Sequence, residues 1–174
     1  MQIERPSWTL WVDEAAGFLA AYLYTFILTF LIFPVVLLVI GQVIALFQFE
    51  SGIEKFTSAL QGGPAMLGVS YFFGSPLAVK AFLPGLAASA LGFFLFRLCS
   101  PRNVEQRSWA RLTFPASVGA GAFMGLAFEA APSPAFLRWS QDVSTSFAMG
   151  IAATAAAVGV IVARRQWRQE IQYA

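Results

Sequence analysis

Between Phe18 and Phe47 the chain runs for thirty residues without a charged side chain, FLAAYLYTFILTFLIFPVVLLVIGQVIALF. As one helix this run would reach about 45 Å, against a bilayer hydrocarbon core of about 30 Å. It therefore predicts a membrane span that tilts, protrudes, or bends near Pro34, where a backbone donor is missing. Two full crossings would need about 40 residues, so the run counts as one. A cleaved signal peptide fits poorly, because Glu4, Asp13 and Glu14 precede a run that is too long for one.

Composition points the same way. Only 11% of the 174 residues are charged, where a water-facing surface calls for roughly 25%. The chain reads as a single integral membrane domain over 1–174, which excludes a soluble globular enzyme. Further spans are expected at 81–98, closed by Arg97 and Ser100-Pro101; at 112–131, ended by Pro132-Ser133-Pro134; and at 143–163, stopped by Arg164-Arg165. The segment 64–79, PAMLGVSYFFGSPLAV, is apolar but short, and Gly68, Gly74 and Pro76 interrupt it. It is expected to be re-entrant or interfacial, since backbone broken at membrane depth must be buried in protein or line a cavity. The expected fold is an all-α membrane protein, a bundle of four transmembrane helices, or five if 64–79 crosses.

Lys and Arg collect in cytoplasmic loops. Arg97, Arg102, Arg107 and Arg111 lie between the second and third spans, and Arg164, Arg165 and Arg168 follow the fourth. With Arg5 they face Lys55, Lys80 and Arg138 on the other side, eight against three. Both termini are expected on the cytoplasmic side of a bacterial inner membrane. Trp8, Trp11, Trp109, Trp139 and Trp167 all fall just outside an expected span, where indole prefers the headgroup layer.

The absence of histidine removes imidazole metal and haem ligation and the commonest general base. A lone Cys99 allows no internal disulfide, thiolate cage or CxxC pair, and reads as a small apolar filler. No Walker loop, GxGxxG, GxSxG or HExxH appears. The pairs Asp13-Glu14 and Glu50/Glu54 read as solvated acids. No catalytic, cofactor or metal residue is assigned, and no cofactor is expected beyond bound lipid. The arginine-rich loop is explained by topology and by anionic lipid, so no nucleic-acid partner is expected.

Glu129 is the one carboxylate placed inside a span, and intramembrane ionisable groups are functional suspects. Near the outer end of the third span, pairing with Lys80 or Arg138 is favoured over ion coupling, because interfacial charge costs little. In lipid, helices associate where small residues let backbones approach. The third span has Ser117, Gly121 and Gly125 at four-residue spacing, and the fourth has Ser146, Gly150, Ala153 and Ala157. The second has Ala81, Gly85, Ala88 and Gly92. On the first span Phe18, Tyr22, Phe26, Phe30 and Phe33 form a bulky face expected to meet lipid or a partner. The polar Thr25 and Thr29 are expected to bond back to their own helix.

The function expected from these features is a non-catalytic subunit of a larger membrane complex, with other membrane subunits or a second copy as partners. The alternative is a small-solute transporter, a channel, or the membrane substrate-binding part of a transporter.

Overall fold

The computed structural model describes residues 7–48, 52–100, 105–129 and 145–168. These residues form four α-helices and no strand: α1 Ser7–Gln48, α2 Gly52–Cys99, α3 Gln106–Glu129 and α4 Thr145–Gln166. Three of the four hold stretches long and apolar enough to cross a membrane: Trp11–Ile40, Gly74–Cys99 and Phe147–Gln166. The segment 64–79, expected to be re-entrant or interfacial, lies inside the continuous 48-residue α2, so the chain does not turn back there.

Proline explains both that expectation and its correction. Pro64, Pro76 and Pro84 lie inside α2, and each deprives the carbonyl four residues back of its donor. At Pro76 that carbonyl belongs to Phe72, and the Ser75 hydroxyl donates to it at 3.1 Å. A lost donor replaced by a neighbouring hydroxyl leaves the helix intact. A chain reversal would also need special backbone geometry, and no described glycine has positive φ.

Both α1 and α3 pack against α2 and α4, so the four helices close a ring. Consecutive helices run antiparallel. One end, termed basal here, gathers the start of α1, the end of α2, the start of α3 and the end of α4. There the Arg97 guanidinium lies 4.0 Å from the Glu14 carboxylate, and Arg111 donates to the Trp167 carbonyl. The lengths are unequal. At 24 and 22 residues, α3 and α4 reach about 36 and 33 Å. At 42 and 48 residues, α1 and α2 reach about 63 and 72 Å, so as a pair they continue distally past the other two.

The basal core is aromatic. Phe93 is fully buried, with ring centroids 4.8 Å from Phe18 and 4.5 Å from Trp109, and Trp167 stacks beside it at 6.1 Å. Phe114, also fully buried, meets Phe18 edge-on at 5.8 Å. On α1 the residues at three- and four-residue spacing, Glu14, Phe18, Tyr22, Thr25, Thr29 and Phe33, are all buried. The bulky face of the first span, expected to meet lipid or a partner, therefore turns inward. Its opposite side carries Leu23, Ile27 and Leu31 outward. In lipid both faces of a helix are apolar, so ring size rather than polarity marks the inner one. Thr25 does bond back to its own helix, donating to the Ala21 carbonyl at 2.8 Å. Thr29 makes no such bond.

Candidate functional site

Among the described residues, the closest approach of two helices at their glycines is between α2 and α3. A Cβ added to Gly121 would lie 2.7 Å from the Gly85 carbonyl oxygen and would collide with the Ser89 hydroxyl. One added to Gly125 would lie 2.8 Å from the Ala81 carbonyl oxygen and 3.0 Å from the Gly85 nitrogen. Ser117 continues the seam, its Oγ 3.5 Å from where a Gly92 Cβ would stand. The structure thus brings Gly85 and Gly92 of α2 against Ser117, Gly121 and Gly125 of α3. Ser89, one step of four after Gly85 although the series drawn from sequence passes through Ala88 instead, is fully buried at the same seam.

On α4 the contact face is offset from the one drawn by spacing. Gly119 of α3 approaches Ala152 and Ala156, and Gly159 approaches Pro115. Gly150 faces Phe33 of α1, while Ala153 and Ala157 are exposed. Pro115 explains part of the offset, because its ring on α3 needs a glycine opposite.

Beside the Tyr22–Leu37 stretch of α1, a cavity of about 410 Å³ remains between all four helices. Tyr22, Phe26, Phe30 and Leu37 line it from α1, Gly74 and Ala78 from α2, Ala122 and Leu126 from α3, and Phe147 and Ala155 from α4. Among the described residues no charged side chain lines it. Two of its four hydroxyls are already committed: Tyr22 to the Phe82 carbonyl at 3.2 Å, and Thr25 to Ala21. The cavity abuts the interrupted stretch that sequence singled out, through Ser70, Gly74 and Ala78. It also ends one turn short of Glu129, through Leu126. Only the backbone of Glu129 is described, as the last residue of α3, and Arg138 lies outside the described residues. Lys80 is exposed on α2.

At the basal end a polar cluster sits over the aromatic core. The Glu14 side chain is only 5% exposed and faces Arg97. The same guanidinium stands 5.2 Å from the Trp109 ring centroid, a cation–π distance. The Arg111 Nε donates to the Trp167 carbonyl at 2.8 Å, and its Nη2 donates there too. This closes the last turn of α4, whose carbonyls lack helical donors. Sequence reasoning placed Glu14 among solvated acids, although it lies one helical step of four before Phe18. Among the described residues no three acidic, cysteine or histidine side chains gather as a metal site.

No protein-family model, curated protein or solved structure matches this chain. Function must therefore be argued from its own geometry.

Proposed function

We propose that the chain is a non-catalytic subunit of a larger membrane complex, with four spans in a bacterial inner membrane and its C-terminus in the cytoplasm. α3 is the fourth span, packed by its glycines rather than driven in by apolar bulk. The supporting observation is a mismatch of lengths. The apolar part of α4 covers 20 residues, about 30 Å, and fits a bilayer upright. The apolar part of α1 covers 30 residues, and would need a tilt of about 50° to fit the same core, beyond the roughly 0–40° that spans adopt. Because α1 packs on α4, it cannot lie down independently. The distal end of that stretch carries Leu37, Val39 and Ile40, and Val43 follows it, all exposed. Apolar surface in that position calls for cover by another membrane protein or a second copy.

Site-specific photo-cross-linking in native membranes tests this. A photoreactive residue at Val39 or Val43 is expected to give discrete protein adducts, whose size separates a foreign subunit from a second copy. The same probe at Met149, exposed on α4, gives lipid adducts alone. Lipid adducts alone at all three positions would overturn the reading.

The cavity between the four helices favours a second reading, a membrane substrate-binding component of a transporter. Enclosed space of this size is where small ligands sit, roughly 300–1,000 Å³. Both readings leave catalysis to other proteins.

A further inference from the structure

We propose that the cavity between the four helices is a binding site for a single hydrocarbon chain, the tail of a membrane lipid, threaded along α1. This goes beyond the subunit reading and stands or falls separately from it.

Shape is the first argument. The lining residues on α1 extend from Tyr22 to Leu37, about 22 Å by helical rise. Lining spread over four turns of one helix suits a chain laid along that helix. Chemistry is the second. With no charged group among the described residues of the wall, an ion or a zwitterion would find no partner there in low dielectric, which is prohibitive. A stable file of water needs two to four polar partners per molecule. Here the Tyr22 and Thr25 hydroxyls are already bonded to backbone carbonyls. A saturated or isoprenoid tail asks nothing of the wall but contact.

Position is the third. Leu37 and Ser70, the lining residues at the distal end, are exposed, so among the described residues the cavity opens beside the α1–α2 arms. A tail entering there leaves its headgroup outside the ring and passes Ser70 at the rim and the Thr29 hydroxyl further in. Gly74 keeps the passage wide: a Cβ added there would come no closer than 3.9 Å to Phe30, so space for a side chain stands open beside it.

The test uses purified protein in detergent with cis-parinaric acid, a fluorescent linear fatty acid, as probe. Saturable binding is expected, with displacement by palmitate if the native occupant is an acyl chain and by geranylgeraniol if it is an isoprenoid. Ala122→Trp fills the middle of the cavity and is expected to weaken probe binding at least about tenfold, while the unfolding midpoint holds or rises. Gly74→Leu is the second filling variant, should the first fail to fold. Ala120→Trp, on the exposed side of α3, leaves binding unchanged. Absence of saturable binding would overturn the proposal. So would binding that survives in a folded filling variant, or displacement by neither competitor.

Discussion

Gly125→Ala puts one methyl group into the tightest seam of the molecule. The new Cβ would stand 2.8 Å from the Ala81 carbonyl oxygen, 3.0 Å from the Gly85 nitrogen and 3.1 Å from the Gly85 Cα. All three are backbone atoms, so no side chain can swing aside. Ordinary carbon contacts lie at about 3.5–4.0 Å, and α2 and α3 must part by several tenths of an ångström along the seam. Overpacking of this kind costs about 1–3 kcal/mol. Against it, alanine gains about 0.5–1 kcal/mol over glycine within a helix. The net expectation is a loss of about 1–2 kcal/mol. Gly68→Ala supplies the reference, since nothing lies within 4 Å of its Cβ position, and it should gain up to about 1 kcal/mol. Unfolding by titration with a denaturing detergent, followed by near-ultraviolet circular dichroism, reads both. The double change Gly121→Ala/Gly125→Ala should cost less than the sum of the singles, because one helix displacement relieves both clashes. A Gly125→Ala protein as stable as Gly68→Ala would refute the close approach of α2 and α3.

Two further expectations concern the basal end. Arg97→Met removes the guanidinium beside the buried Glu14 carboxylate and should cost about 1–3 kcal/mol. Adding Glu14→Gln should restore most of that loss, and a double-mutant cycle without coupling would show that the pair is incidental. Arg111→Ala should raise hydrogen exchange at 164–168 while leaving exchange in the middle of α3 and α4 unchanged. Uniform protection across α4 would show that the Trp167 carbonyl does not depend on that arginine.

What could be read from sequence followed the physics of each signal. Because close approach is the main source of helix affinity in lipid, small residues at steps of four marked stripes on α2 and α3, without saying which helices would pair. The same signal mislocated the face of α4, where alanine is so frequent that several stripes can be drawn and only Pro115 on the neighbour selects among them. The aromatic stripe of α1 was legible as a stripe but not as an inner face, since a membrane helix is apolar all round and periodicity in polarity is weak. α2 looked interrupted because Pro76 and Gly74 are breakers in water; the Ser75 hydroxyl that repairs the Phe72 carbonyl is a local detail no composition reveals. The cavity was not legible at all. It lies between all four helices, and depends on relative helix placement rather than on any residue's identity.

The three helices that carry apolar spans differ from α3 in one respect that bears on how the protein is made. The glycines that admit α2, with Ser117 and the arginines near its start, dilute the apolar content of α3. A segment that partitions weakly into lipid by itself is held there by what it packs against. On the proposed four-span reading, α3 would wait during synthesis beside α2, already inserted, and the two would enter as a pair. Closeness between these helices would then be a condition of biogenesis before it is a property of the finished fold, and substitutions along the seam should lower the yield of inserted protein as well as its stability.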